Sequence, residues 1–246
     1  FTILFDGAMS NARVFVNGRQ VAAWPYGYNS FYVNLDNADL RPGTNTLDVA
    51  LENYEKASRW YPGAGLYRNV RLVATDRVHI PVWGTYITTP VVRDDMASVS
   101  LLMKIAGAAQ TDKWPYGQKI DVSTVIYGPA GQEVARNKSE YIARGQDLRQ
   151  NFNVEHPVLW SPEQPALYKA VTTLSADGRQ LDEYTTRFGI RSLEYIPEKG
   201  FFLNGKPTKF KGVCNHHDLG PLGAAVNRAA LRHQIQLLKD MGANAI

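Results

Sequence analysis

Alternating hydrophobic and polar positions recur along most of the chain, in short runs that predict β-strands. Every second residue of Phe31–Leu35 is apolar, and Leu66–Val73 alternates in the same way. The pair Asn17-Gly18 separates two such runs, and this dipeptide favours a two-residue hairpin turn. Runs at this spacing, with no helical periodicity between them, predict an antiparallel β-sandwich over residues 1–75.

Residues 76–188 repeat this pattern. Alternating runs such as Ile120–Tyr127 and Leu167–Leu174 are followed by turn residues, Gly128-Pro129 in the first case and Asp177-Gly178 in the second. A stretch of short strands of this length predicts an immunoglobulin-like sandwich. With a single cysteine in the chain, the Cys…Trp…Cys pattern of antibody domains is excluded.

The periodicity changes over residues 189–246. Thr208–Val213 predicts a strand, and Asn227 is placed to cap a helix over Arg228–Met241 that ends at Gly242. Ala243–Ile246 then predicts a second strand, and a strand–helix–strand unit normally pairs its strands in parallel. The apolar residues of the helix form one stripe: Leu231, Ile235, Leu238 and Met241.

Composition narrows the classes of function. Hydrophobic residues make up 44% of the 246, which excludes a disordered chain, and a net charge of +4 without a basic cluster gives little support for nucleic-acid binding. No apolar run approaches the roughly 18 residues of a membrane span. Cys214, the single cysteine, excludes an internal disulfide and is predicted to be a small buried group. The compartment is undetermined, and Phe1–Phe5 reads as a strand in mid-domain, so we expect the protein's N-terminus to lie upstream.

The run Lys211–Asp218 contains the residues best suited to a functional site. It ends in His216, His217 and Asp218, which are polar, titratable residues at the end of an apolar strand, as in a substrate site on a β/α barrel. Alternation along a strand places His216 and Asp218 on one face. Imidazole and carboxylate together can donate to and accept from a sugar hydroxyl.

Two other roles for these side chains compete with sugar contact. His216 and Asp218 could pair with each other or with the backbone, because polar strand ends are ordinary. A zinc site is less favoured, since it needs three or four ligands and His79, His156 and His233 lie in unrelated segments.

Four matches, in order, resemble glycoside hydrolase family 2: Ser58–Val70, Leu159–Tyr168, Arg187–Arg191, and the first barrel strand in Phe202–Pro207 with Lys211–Asp218. The resemblance implies a mostly β chain: a partial jelly-roll-like sugar-binding sandwich (residues 1–75), an immunoglobulin-like sandwich (76–188) and the first βα unit of a TIM (β/α)8 barrel (189–246). The His216–Gly220 version is most similar to β-galactosidase-type members.

The resemblance also implies roles. His216 and Asp218 would bind substrate, with His217 carried over more weakly, and Arg59 would reach a sugar hydroxyl from the sandwich loop. Trp60 could stack on a sugar face, but packing between domains with Arg59 in solvent is favoured, because aromatic side chains usually serve burial. Two glutamates on later barrel strands, beyond Ile246, would perform retaining hydrolysis, so no catalytic residue is assigned here. No cofactor or metal ligand is expected in this chain, and the divalent-metal ligands of some members would also lie beyond Ile246.

Several alternatives remain at this point. The parent enzyme could be a β-glucuronidase or β-mannosidase of the same family, because most specificity groups lie elsewhere. A non-catalytic carbohydrate-binding module made of two sandwiches is the rival outside the enzyme class. The expected partner is a carbohydrate, without nucleic acid or a membrane span, and the full-length protein could be a homo-oligomer.

Overall fold

A computed structural model describes residues 1–56, 63–108, 119–142, 146–216, 219–225 and 227–246. The chain divides into two compact units, one formed by Phe1–Ala74 with Phe210–Ile246 and the other by Thr75–Lys209. Both are built mainly of antiparallel β-strands, as the sequence predicts. The predicted division into residues 1–75, 76–188 and 189–246 stays a prediction.

The first unit contains a sandwich of two three-stranded sheets around one core. One sheet has the order β4-β1-β6 and the other β3-β2-β5. In chain order the strands are β1 (Thr2–Phe5), β2 (Ala12–Val16), β3 (Arg19–Trp24), β4 (Phe31–Asn34), β5 (Leu47–Ala50) and β6 (Val70–Val73). Phe5 and Val14 are fully buried between the sheets, and Phe5 stacks on Phe31 with ring centroids 4.7 Å apart. Alternation therefore sets the buried face, as predicted.

The predicted Asn-Gly hairpin forms between β2 and β3. Val16 pairs with Arg19, and Asn17 and Gly18 take left-handed φ values of 49° and 82°. These values suit a two-residue hairpin turn, whose twist matches that of the strands. The Asn17 side chain also donates to the Asp39 carbonyl at 2.8 Å, so the turn is tied to a distant loop.

The edge strands β5 and β6 leave core-facing side chains accessible. Leu72 lies opposite the buried Ile3, and Leu47 opposite the buried Val16, so both point toward the core. Leu72 is nevertheless 65% exposed and Leu47 41%. An apolar groove of about 430 Å³ opens between the sheets here, lined in part by these leucines and Val70.

The second unit is a seven-stranded sandwich. One sheet has the order β10-β9-β12-β13 and the other β11-β8-β7. The strands are β7 (Thr85–Val92), β8 (Met96–Met103), β9 (Lys119–Tyr127), β10 (Glu133–Ile142), β11 (Leu148–Glu155), β12 (Tyr168–Ala176) and β13 (Arg179–Phe188). Leu101 and Ile126, from opposite sheets, are fully buried in one core. Four strands facing three are the arrangement of an immunoglobulin-like sandwich.

A short antiparallel sheet follows in the same unit, made of β14 (Leu193–Ile196), β15 (Gly200–Leu203) and β16 (Lys206–Pro207). Asn204 at its second turn accepts from Ser192 N at 3.0 Å and donates from Nδ2 to the Trp160 carbonyl at 3.0 Å. Trp160 lies under the Arg191 guanidinium, 5.0 Å from the ring centroid. Trp160 therefore packs against the segment that follows the sandwich, within the same unit.

The helix of the C-terminal segment forms where predicted. Helix α1 spans Arg228–Asp240, and the Asn227 side chain accepts from Ala229 N and Ala230 N. Gly242 ends it with φ of 88°. The two flanking strands form only as a single parallel bridge between Gly212 and Ala245, which confirms the predicted direction but not the predicted strand lengths. No helix among the described residues is both long and apolar enough to cross a bilayer.

Candidate substrate-binding site

The segment that leads to His216 is fixed by its contacts with the end of the chain. Lys211 N donates to Asn244 Oδ1 at 2.8 Å, and Asn244 N donates to the Lys211 carbonyl at 3.0 Å. One residue further on, Gly212 forms the parallel bridge to Ala245. The backbone four residues before His216 is therefore held from one side by a sequence-distant segment.

A compact turn follows the His-His-Asp triplet. Gly220–Leu222 form one turn of 3-10 helix, Gly223 N donates to the Gly220 carbonyl at 2.9 Å, and Leu219 N donates to the Gly223 carbonyl at 3.0 Å. Both glycines take positive φ, 63° and 55°. Only glycine adopts such values without cost, so the turn depends on them.

Of the four predicted site residues, His216 is the one described, and it is exposed. His217, Asp218 and Arg59 lie outside the described residues, as does Trp60. Their roles in sugar contact, and the alternative of a His216–Asp218 pair, stay predictions. The exposed imidazole of His216 is compatible with contact to a polar ligand.

The flanks of the Arg59 loop and of the His-His-Asp segment contact each other. Asn53 Nδ2 donates to the Gly63 carbonyl at 2.9 Å, and Gly63 has φ of 77°. A Cβ placed on Gly63 would lie 2.8 Å from Ala224 Cβ, so the two backbones approach as closely as a glycine permits. Two segments about 160 residues apart in the sequence are thus neighbours within the first unit. The sequence analysis identified both segments but not this contact.

Cys214 is exposed rather than buried, which corrects the prediction made for it. The reason is that the segment has a parallel neighbour on one side only, at Ala245, within the part of the chain that the structure describes. No group of three or more His, Cys, Asp or Glu residues that could share a metal ion occurs among the described residues.

Comparison with known proteins places these features in a family. A family model described as glycosyl hydrolases family 2 matches residues 78–191, and the family 2 TIM barrel domain matches residues 195–246. The β-galactosidase BoGH2A of Bacteroides ovatus is 40% identical over 250 residues, covering 100% of this chain and 29% of its own length. A β-glucuronidase of Bacteroides fragilis is 28% identical, covering 98% of this chain and 36% of its own.

Solved structures agree with this assignment. A glycosyl hydrolase family 2 member from Bacteroides cellulosilyticus aligns with a TM-score of 0.90 and 35% identity, covering 98% of this chain and 31% of that one. Bacteroides uniformis β-glucuronidase aligns with a TM-score of 0.86 and 28% identity, covering 98% and 30%. The chain thus spans about a third of the proteins that it matches. It carries two successive domains of one family and belongs to glycosyl hydrolases family 2.

Proposed function

We propose that this chain is part of a retaining glycoside hydrolase that removes terminal β-linked sugars, with a β-galactoside as the leading substrate. The observation that carries the proposal is 40% identity to the Bacteroides ovatus β-galactosidase along the whole chain. β-Glucuronidase is the second candidate, supported by the Bacteroides fragilis relative and the Bacteroides uniformis structure. A carbohydrate-binding module without catalysis is the rival outside the enzyme class.

The proposed reaction uses two glutamates, both outside these 246 residues. In retaining hydrolysis the two carboxyl groups lie about 5–5.5 Å apart. One carboxylate attacks the anomeric carbon while the other carboxyl protonates the departing oxygen, which gives a glycosyl–enzyme ester. Water, deprotonated by the second group, then releases the sugar with its original β configuration. Glu163, Glu194 and Glu198 of this chain have no part in these steps.

The residues of this chain would bind and orient the terminal sugar. His216 can donate to one hydroxyl and accept from another through its two ring nitrogens, and the Asp218 carboxylate can accept from hydroxyl groups. Arg59 would donate from the sandwich loop, whose flank at Gly63 contacts Ala224 beyond the triplet. Holding the ring in one orientation toward the glutamates lowers the entropic part of the barrier.

A panel of chromogenic β-galactoside, β-glucuronide and β-mannoside tests this proposal. The complete gene product is expected to cleave the galactoside fastest and to release the β-anomer first, as followed by proton NMR. The 246-residue chain by itself is expected to be inactive, and clear turnover by it would contradict the assignment of both glutamates to other parts of the protein. A gene product that binds the sugars but cleaves none of them would support the binding-module hypothesis.

A further inference from the structure

Three connections between strands meet at one end of the sandwich in the first unit. We call their described residues the loop end; these are 6–11 between β1 and β2, 25–30 between β3 and β4, and 52–56 with 63–69 between β5 and β6. Met9 N and Gly65 N each donate to the other's carbonyl, at 3.0 and 3.2 Å. Asn11 N donates to the Pro25 carbonyl at 3.0 Å. Backbone bonds between loops of this kind hold a surface in one conformation before any ligand binds.

Close packing reinforces these hydrogen bonds. The Tyr67 hydroxyl donates to the Gly27 carbonyl at 2.8 Å, and the Tyr67 ring lies so close to Gly7 that a Cβ there would be 2.8 Å away. A Cβ on Gly27 would overlap with Met9 Sδ. Tyr67 and Met9 are buried. The loop end is therefore a fixed scaffold with no room for additional side-chain atoms at Gly7 or Gly27.

Aromatic groups face outward from this scaffold. Tyr26 is 54% exposed, and its ring centroid lies 5.6 Å from that of Tyr28, with the ring planes tilted by 57°. The Arg68 guanidinium lies 5.1 Å from the centroid of the Tyr67 ring. Burial raises the pKa of the Tyr67 hydroxyl, and the neighbouring Tyr28 and Tyr26 hydroxyls raise it further, against the opposing effect of Arg68. Three phenol groups and one guanidinium are thus close together.

The loop end is continuous with the candidate substrate-binding site. Gly27 packs on Met9, Met9 pairs with Gly65, and two residues earlier Gly63 contacts Ala224. Ala224 lies on the turn that follows the His-His-Asp triplet. The tyrosines are therefore a few contacts away from the residues proposed to hold the terminal sugar, on a different loop.

We propose that Tyr26 and Tyr28 bind the sugar on the leaving-group side of the bond that is cut, an inference that rests on the proposed function. The axial C–H groups on one face of a pyranose pack on an aromatic ring, and tyrosine combines such a face with a hydroxyl for hydrogen bonding. With centroids 5.6 Å apart the two rings contact each other, so Tyr28 supports the Tyr26 ring and the sugar would pack on the solvent-exposed side of Tyr26. Arg68 provides donors for the hydroxyls around that sugar.

The test compares two substrates that carry the same terminal sugar, the one that the gene product cleaves. The first is a methyl β-glycoside, which has no second sugar ring, and the second is a β-linked disaccharide. Tyr26→Ala is expected to lower kcat/KM for the disaccharide on the order of tenfold while leaving the methyl glycoside unchanged, because only the disaccharide reaches the tyrosines. Tyr26→Phe keeps the ring and is expected to retain most of the activity. Tyr86→Ala, at another exposed tyrosine, in the second unit, is the matched control.

Equal loss on both substrates, or no loss on either, would overturn the inference. A binding measurement separates it from the proposed function. In ligand-observed NMR of the 246-residue chain with lactose, saturation transfer to the reducing-end glucose ring is expected for the wild type and the Tyr86→Ala variant but not for Tyr26→Ala. Absence of transfer in the wild type would overturn the tyrosine site, whereas a gene product that cleaves no β-glycoside yet shows this pattern would overturn only the proposed function.

Discussion

Asn244 and Lys211 form two hydrogen bonds, and each residue donates one of them. Its side-chain oxygen accepts from Lys211 N at 2.8 Å, and its backbone N donates to the Lys211 carbonyl at 3.0 Å, across 33 residues of sequence. The side chain thus continues the parallel pairing that Gly212 and Ala245 make in the backbone. This arrangement fixes the start of the segment that carries His216.

Replacing Asn244 tests that arrangement. Asn244→Ala leaves Lys211 N without its acceptor, and because the bond is exposed to water we expect a loss of about 0.5 kcal/mol, the low end for a hydrogen bond. Asn244→Asp keeps an acceptor oxygen and is expected to recover the stability. Urea unfolding measures both, with Asn37→Ala at an exposed loop position as control. Equal stability of the Ala and Asp variants would contradict a role for the side chain.

Asn227 begins helix α1, and its side chain accepts from two backbone N–H groups at 2.9 and 3.2 Å. Asn227→Ala is expected to destabilise the helix by about 1 kcal/mol, whereas Asn227→Ser, another good cap, should cost little. Amide hydrogen exchange over Ala229 and Ala230 is the measurement, since these groups lose their acceptor. Unchanged protection in the alanine variant would refute the cap.

Gly63 and Gly65 form a matched pair for testing the close approach between the Arg59 loop and the turn after the triplet. Both have positive φ, 77° and 86°, so alanine costs each about 1 kcal/mol in backbone strain. Only the Gly63 Cβ would meet another residue, Ala224 at 2.8 Å, whereas the Gly65 Cβ would meet nothing within 4 Å.

We therefore expect Gly63→Ala to be the more destabilising of the two and to weaken activity of the gene product, while Gly65→Ala retains activity. Thermal unfolding and kcat/KM for the chromogenic β-galactoside are the measurements. The double variant Gly63→Ala/Ala224→Gly removes the clash and should restore part of both. Identical behaviour of the two single variants would show that the contact has no importance.

The raised pKa of Tyr67 predicts that the protein becomes less stable at alkaline pH. Its folded pKa is raised above the ordinary 10.0, chiefly by burial. Below the ordinary pKa of 10.0 the hydroxyl is protonated in both the folded and the unfolded state, so its contribution to the free energy of unfolding is fully present. As pH rises past the unfolded pKa, the unfolded state loses the proton first, and stability falls until the folded pKa is passed.

Tyr67→Phe cannot ionise, so its stability should decline less steeply with pH above about 10 than that of the wild type. At pH 8 the same variant should be less stable by about 1 kcal/mol, because the hydroxyl no longer donates to the Gly27 carbonyl. Urea unfolding at a series of pH values gives both comparisons. Parallel pH profiles for the two proteins would contradict the prediction.

His216 is the predicted sugar contact that can be tested against another histidine of the chain. His216→Ala in the gene product is expected to lower kcat/KM by about 10- to 100-fold, the effect of one or two lost hydrogen bonds to substrate. His233→Ala, at an exposed position of helix α1, is the control and should change neither activity nor stability. If the His216→Ala variant had the kinetics of the wild type, His216 would not contact the sugar.

Local patterns in the sequence determined the elements of this protein. Alternation in Phe31–Leu35 set which side chains of β4 are buried, Asn17-Gly18 set the first hairpin, and Asn227 with Gly242 set the two ends of α1. Each depends on neighbours within a few residues, because side-chain periodicity, φ preference and capping act over that distance. The resemblance of four segments to one family also predicted the order of the domains along the chain.

Tertiary structure alone decided which distant residues meet. The contact of Gly63 with Ala224, the bonds of Asn244 to Lys211 and the grouping of Tyr26, Tyr28 and Tyr67 join segments that no local pattern connects. The exposure of Cys214 has the same origin, since burial depends on whether a neighbouring strand covers each side. Such contacts form only when the gain from packing exceeds the entropy of closing long loops, and that balance depends on the whole fold rather than on any one segment.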